Sequence, residues 1–318
     1  MLIVVALGGN ALLHRGEALD AGIQLRNVER ACSVIADLAR EHRAVVTHGN
    51  GPQIGLLALQ SEAYRDVRSY PLDVLDAESE GMIGYLLQQG LENALPRAKV
   101  VTLLTQVVVD AHDPSFLEPT KPIGPVYLED EAAALETERG WAMAPDGPVG
   151  WRRVVASPRP HEIVERDAID LLVDAGVLVV CSGGGGTPVV RDDVGRFRGV
   201  EAVVDKDRTA ALLARQLGAD RLLLLTDVDA VYANHGRPGA QAIRRSCPGL
   251  LRGFHFDAGS MGAKVEAASA FATTTGNPAH IGRLEDAAQL LTGRAGTEVS
   301  VDADFIAWYP VVPQEMMA

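Results

Sequence analysis

Only four of the 29 lysines and arginines in this 318-residue chain are lysines: Lys99, Lys121, Lys206 and Lys264. Arginine fills nearly every place where a generic surface cation would serve, so a retained lysine points to a need for a compact point charge that a planar guanidinium cannot supply. Lys206 stands between Asp205 and Asp207 at the end of Gly199-Val200-Glu201-Ala202-Val203-Val204-Asp205-Lys206-Asp207, Lys264 follows Gly262-Ala263, and Lys121 lies in Pro119-Thr120-Lys121-Pro122-Ile123-Gly124-Pro125. The bland alternative for each is a solvated surface lysine, and lysine scarcity tells against it. Three apolar runs also end in glycine clusters, Gly8-Gly9-Asn10, Gly49-Asn50-Gly51 and Gly183-Gly184-Gly185-Gly186. Without a Cβ, backbone N–H groups can reach a phosphate oxygen. Ammonium groups beside such loops suit the binding and transfer of a small phosphate.

Several other chemistries are excluded by pattern. GxxxxGK[ST] does not occur, and Gly49-Asn50-Gly51-Pro52-Gln53-Ile54-Gly55 misses the dinucleotide fingerprint by one residue. HExxH, GxSxG and a Cys/His cluster are missing from the sequence, so the eight histidines read as structural or solvent-facing and no metal ligand is assigned. A formal charge of −13 would repel a polyanion, which argues against a nucleic-acid partner. Three cysteines without CxxC spacing suggest a reduced cytosol. The apolar Met1-Leu2-Ile3-Val4-Val5-Ala6-Leu7 stops at Gly8-Gly9 and reads as a buried strand, not a leader or membrane span.

These residues need a scaffold that brings strand ends together. Apolar runs of strand length alternate with helix-period stretches, which predicts an α/β chain with an open, mostly parallel sheet sandwiched by helices. Strands are expected over 2–7, 44–47, 100–109 in one piece or two, 177–181, 221–226 and 279–282. Leu25, Val28, Cys32, Ile35 and Ala39 define one helical face, and further helices are expected after Gly51, after Pro71, and over 161–175, 206–217, 260–275 and 285–291. Residues 189–204 read as a hairpin turning at Asp193-Val194-Gly195, and 227–236 as a loop. Residues 111–153, rich in proline and glycine, hold a short helix over 129–139 and no long apolar strand. They read as a small protruding subdomain inserted in the main body.

Together these motifs resemble the carbamate kinases of the amino-acid kinase fold over nearly the whole length. The resemblance rests on Leu7-Gly8-Gly9-Asn10-Ala11-Leu12, His48-Gly49-Asn50-Gly51-Pro52-Gln53, the Pro119 to Pro125 motif, Arg152-Arg153-Val154-Val155-Ala156-Ser157-Pro158, the four-glycine run, the Gly199 to Asp207 stretch, Leu225-Thr226-Asp227-Val228-Asp229 and Gly259-Ser260-Met261-Gly262-Ala263-Lys264. It implies a cytoplasmic homodimer that moves a phosphoryl group between carbamoyl phosphate and ADP, with Mg2+ accompanying ATP. Residues 1–198 would form the carbamoyl phosphate half, with a lid at about 111–153, and 199–318 the nucleotide half. Lys206 and Lys264 would meet the phosphoryl group in flight, Asp207 would organise them, and Lys121 would close over carbamoyl phosphate. Gly8, Gly9, Asn10, Gly49, Asn50, Gly51, Gly184 and Gly185 would bind phosphate. Thr226, Asp227, Val228, Tyr232, Ser260, Met261 and Gly262 would take the nucleotide, although Asp227 could instead cap a turn and Tyr232 could instead pack in the core. Many amino-acid kinases carry a lysine where this chain has Ala6, and Lys206 would supply that charge. Two alternatives are another enzyme of the fold acting on an amino-acid side chain or uridylate, and a nucleotide-binding relative without turnover.

Overall fold

The computed structural model describes residues 1–318 apart from 13–16, 18–19, 65, 67, 148–149, 257–260 and 311–318, and the side chains of Asn10 and Ala11 also lie outside the description. Strand β1 (Leu2–Leu7) is buried on both faces, which explains its unbroken apolar sequence. Leu2, Val4 and Ala6 join one core cluster and Ile3, Val5 and Leu7 the other, as the two-residue period of a strand requires. Beside β1 lie β2 (Arg43–His48) and β12 (Arg221–Thr226), both parallel to it. Beyond β2 come β9 (Val177–Val180) and the edge strand β3 (Lys99–Thr102). Beyond β12 come β15 (Ala279–Arg283), β16 (Thr297–Val299), β14 (Gln241–Ser246) and β13 (Val231–Ala233), with β17 (Ala307–Trp308) also paired to β14.

Helices cover both faces. On one side α6 (Arg166–Asp174), α7 (Lys206–Gln216) and α9 (Met261–Thr275) contribute Ile169, Leu213 and Phe271 to the first cluster. On the other, α2 (Ala21–Glu41), α4 (Leu72–Ala94) and α10 (Ala287–Leu290) contribute Ile35, Leu87 and Leu290. The α2 face buries Val28, Cys32 and Ile35 as its spacing predicts, whereas Leu25 near its start is 38% exposed. Short α1 (Gly9–Leu12) and α8 (Pro248–Leu251) and the longer α3 (Gly51–Ala63) complete the body. None of the described helices is long and apolar enough to cross a membrane.

A second sheet has the order β11 (Phe197–Gly199), β10 (Thr187–Arg191), β4 (Gln106–Val109), β8 (Pro160–Ile163). The run expected over 100–109 therefore does divide, and its halves serve different sheets. The helix expected over 161–175 is shorter, because residues 160–163 pair antiparallel with β4 before α6 begins. The loop expected over 227–236 contains β13, whose partner β14 lies beyond it.

Residues 121–155 form a third sheet, β5 (Lys121–Tyr127), β7 (Trp151–Val155), β6 (Ala142–Pro145), with α5 (Glu129–Arg139) between β5 and β6. Strand β5 was not expected because it holds Pro122 and Pro125. It is an edge strand with a register shift between Ile123 and Tyr127, where a missing N–H breaks little. Ile54 and Ala58 of α3, Leu72 and Leu75 of α4, Ile123, Val155 and Val203 form an apolar seam between this small sheet and the body. At its tightest point, a Cβ on Gly55 would sit 2.1 Å from Gly124 Cα, so β5 rides directly on the α3 backbone.

Candidate active site

Strands β1, β2, β9 and β12 run parallel, so their C-terminal ends share one edge. Gly8-Gly9 leaves β1 there, Gly49-Asn50-Gly51 leaves β2, Gly183–Gly185 forms a 3-10 turn after β9, and Thr226-Asp227-Val228 leaves β12. This is the edge on which ligands bind in open parallel sheets. Helix α3 opens at the second loop with Pro52 in its first turn, where a missing N–H is harmless.

Helix α7 starts at Lys206, with Asp205 as its N-cap. Lys206 Nζ and Lys264 Nζ, the latter one turn into α9, each donate to Asp207 Oδ2 at 3.1 Å. Asp207 is 2% exposed and Lys264 7%, so this is an enclosed cluster and not a solvated ion pair. Arg208 of α7 donates to Glu266 of α9 from Nε at 3.3 Å and Nη2 at 2.9 Å, tying together the two helices that carry the lysines. The third lysine arrives from β5: Lys121 Nζ donates to Asp205 Oδ2 at 3.1 Å. Three ammonium groups thus face two carboxylates, which leaves positive charge for an incoming anion. Burial alone would depress Lys206, yet Asp207 and Asp205 hold it above the ordinary lysine value. Burial and the neighbouring Lys206 ammonium hold Lys264 below that value.

The glycine loops make room for this cluster. A Cβ on Gly49 would lie 3.0 Å from Lys206 Cδ and 3.1 Å from Gly9 N, so the Lys206 side chain runs closely over the second loop. A Cβ on Gly185 would lie 2.6 Å from the Val204 carbonyl oxygen, and Thr209 Oγ1 donates to the Gly185 carbonyl at 2.8 Å, fastening that turn to α7. Ala6, where a lysine is frequent in the wider fold, is fully buried in the sheet.

Behind the loops, α4 presents buried polar side chains. Asn50 Nδ2 donates to Asp76 Oδ1 and, at 2.8 Å, to Ser79 Oγ. Glu80 accepts from Gly183 N at 2.9 Å and Thr105 N at 3.2 Å. These contacts hold the second and third glycine loops against one helix. Burial pushes the Asp76 carboxyl up to about 8, against the pull of Asn50 and Lys121. Burial and Asp76 push Glu80 well above the ordinary carboxylate range. Burial also holds His48 down at about 4, so its ring is neutral beside the loop. None of Asp76, Ser79 or Thr105 stands out in the sequence, where His48 appears only within the His48 to Gln53 motif. The available signal was Asp76, Ser79 and Glu80 falling on the same helical stripe as Leu72, Leu75, Ile83 and Leu87.

The raised Asp76 value has a measurable consequence. Between about 4 and about 8 the unfolded chain releases this proton and the folded chain keeps it, so stability falls as pH rises through that window. Asp76→Asn keeps an oxygen for Asn50 and removes the titration. Its stability relative to the parent is expected to rise steadily from pH 5 to pH 8, as read from urea midpoints. A pH-independent difference would mean that Asp76 is ionised in the folded protein.

The remaining residues singled out from the sequence are distributed along the same edge. Thr226 Oγ1 donates to Asp227 Oδ1 at 3.1 Å at the end of β12, and Val228 follows, half-buried. Tyr232 lies on β13, its hydroxyl donating to the Asp229 carboxylate at 3.1 and 3.2 Å and its ring meeting His235 edge-on. Met261 and Gly262 form the first turn of α9, half-buried, while Ser260 lies outside the described residues. Lys99 is exposed on the edge strand, away from the other three lysines.

The model of the Amino acid kinase family matches residues 1–283. A carbamate kinase of Rhizobium meliloti (strain 1021) is 50% identical over 317 residues, spanning 98% of this chain and 97% of that protein. The chain belongs to the carbamate kinases of the amino acid kinase family. A carbamate kinase of Pyrococcus furiosus is 44% identical, spanning 93% of this chain and 98% of its own length. The solved carbamate kinase from Giardia lamblia bound to AMP-PNP superposes with a TM-score of 0.86 at 41% identity, over 94% of this chain and 98% of that one. The likeness to carbamate kinases therefore spans the small third sheet and its Lys121 as well as the two helices bearing Lys206 and Lys264.

Proposed function

We propose that this protein catalyses reversible phosphoryl transfer between carbamoyl phosphate and ADP, giving ATP and carbamate, which decomposes to ammonia and carbon dioxide. The observation that carries the reading is the convergence of Lys206 and Lys264 on Asp207, with Lys121 held two residues away on Asp205. In-line transfer of a phosphoryl group between two oxygens needs positioning and charge neutralisation more than covalent chemistry. Lys206 and Lys264 neutralise the equatorial oxygens of the group in flight, while Asp207 keeps both from drifting. Lys121 meets the carbamoyl phosphate, and Gly8, Gly9, Gly49, Gly51, Gly184 and Gly185, with Asn10 and Asn50, line its phosphate. The N–H groups of Gly8, Gly49 and Gly185 already donate to the carbonyls of Leu225, Leu7 and Ser182, so the N–H groups of Gly9 and Gly51, at the starts of α1 and α3, are the donors to it. In the ATP-forming direction the attacking group is an ionised phosphate of ADP, and in reverse it is ionised carbamate. Neither direction requires a general base, which is consistent with a site built of lysines.

Residues 1–198 form the carbamoyl phosphate half on this reading, with 111–153 as its lid, and 199–318 the nucleotide half. Thr226, Asp227, Val228, Tyr232, Ser260, Met261 and Gly262 take the nucleotide. Use of ATP and ADP implies a divalent metal, for which Mg2+ is the natural choice. Mg2+ typically keeps phosphate oxygens and waters as ligands with one or two carboxylates. That fits a chain whose described residues include no group of three or more converging His, Cys, Asp or Glu. Asp207 Oδ1, buried and without a hydrogen-bond partner, is a carboxylate oxygen suited to that role. The metal would neutralise charge on the nucleotide phosphates. The enzyme acts as a cytoplasmic homodimer in fermentative arginine or related nitrogen catabolism.

A coupled assay tests the reading. With millimolar carbamoyl phosphate, ADP and Mg2+, ATP is expected to form, and uridylate or amino-acid carboxylates offered with ATP are expected to remain unphosphorylated. No ATP from carbamoyl phosphate would overturn the assignment.

A further inference from the structure

We propose that Asp205 is a positioning residue whose two carboxylate oxygens have separate tasks: Oδ1 caps α7 and so places Lys206, while Oδ2 tethers Lys121 of β5 over the same spot before substrate arrives. The proposal rests on the reading above, in which Lys121 meets carbamoyl phosphate. Oδ1 accepts from Asp207 N at 3.0 Å and Arg208 N at 3.2 Å, satisfying two N–H groups that open the helix. Oδ2 faces the other way and accepts from Lys121 Nζ at 3.1 Å, across 84 residues of sequence.

The tether is not an ordinary surface ion pair. The two side chains are only 24% and 15% exposed, so water screens them poorly. Lys121 is also the first residue of β5, whose backbone is already fixed against α3 at Gly55 and Gly124 and through Ile123 in the apolar seam. The seam places the strand but leaves the four-carbon lysine stem free to sample many rotamers. Asp205 removes that freedom in advance, and ordering a side chain before the ligand arrives strengthens binding. Glu118, three residues upstream, is exposed, and Asp76, the other carboxyl that senses Lys121, is held mainly neutral by burial. Asp205 is therefore the charged partner.

The two tasks can be separated because Asn and Ser cap helices as well as Asp does, while neither carries the charge that holds a lysine. In ligand-free Asp205→Asn and Asp205→Ser, the Lys121 side-chain methylenes are expected to lose order in NMR relaxation, while the first turn of α7 keeps its protection from hydrogen exchange. KM for carbamoyl phosphate is expected to rise about tenfold, equivalent to about 1.4 kcal/mol, with the loss falling on KM more than on kcat and KM for ADP little changed. In a Lys121→Ala background the same substitutions should add nothing further. Lys121 methylenes that stay ordered, a KM that falls because a negative charge has been removed, or an effect that persists without Lys121 would each overturn the tether. Loss of protection in α7 with both variants would overturn the separation of tasks. The relaxation measurement stands apart from turnover, so it distinguishes a failed tether from a failed assignment of the reaction.

Discussion

Replacing Lys206 or Lys264 by alanine is expected to lower kcat for ATP formation by about 10²–10³ while the fold survives, the scale seen when one preorganised donor to a transition-state charge is lost. The two lysines share one acceptor atom, Asp207 Oδ2, and therefore act as a unit. The double variant should accordingly lose less than the product of the two single losses. The effect should fall on kcat, because charge on the equatorial oxygens is greatest as the phosphoryl group passes between acceptor and donor. A substrate-binding role alone would instead raise KM. Lys264 is the more enclosed of the two, so its removal leaves the buried Asp207 carboxylate short of one partner and should also lower stability. Urea unfolding separates these contributions, and Lys264→Met keeps more of the buried stem than alanine does. Near-normal turnover in either single variant, with the protein folded, would remove that lysine from the chemistry.

The parts of this architecture that were legible in the sequence are those where one residue type has a single physical use. Strands β1, β2, β9 and β12 are buried on both faces and so appear as unbroken apolar runs, and each glycine loop follows one of them. Lys121, Lys206 and Lys264 stood out because arginine had taken the other cationic positions. What escaped was whatever depends on a partner far along the chain. Strand β5 contains two prolines and is a strand only because β7 supplies an edge to pair with. Strand β14 carries a mixed polar sequence at the far side of the sheet, and β13 spans only Val231–Ala233, too short for a period to show. The role of Asp205 needed the distance to Lys121, since an aspartate before a helix is already explained as a cap. Asp76 and Glu80 were hidden by their helix. Charged residues on α4 look solvated until the glycine turn after β9 is seen packed upon them.

That packing makes the four-glycine turn a demanding stretch of backbone, with Gly184, Gly185 and Gly186 all at positive φ, and Gly184→Ala is expected to show it when compared with Gly176→Ala. Both glycines have a positive φ, +70° at Gly184 and +75° at Gly176. An alanine pays the same conformational penalty at either, about 1–2 kcal/mol. Their surroundings differ. Nothing lies within 4 Å of a Cβ at Gly176, whereas at Gly184 a Cβ would fall 2.2 Å from Asn50 Nδ2 and 2.7 Å from Asp76 Oδ1. Asn50 cannot swing aside without breaking its bonds to Asp76 and Ser79, and Asp76 is fully buried in α4. Either the glycine turn must move off α4 or Asn50 must leave its place in the second loop. Gly176→Ala should therefore lose about 1–2 kcal/mol of stability with its kinetics intact. Gly184→Ala should lose roughly 1–3 kcal/mol more, the usual range for overpacking, and most of its kcat/KM for carbamoyl phosphate. Denaturant midpoints and steady-state kinetics on the two variants check both halves. Equal losses would mean that strain alone governs the turn, and that its contact with Asn50 and Asp76 does not hold the glycine loops in register.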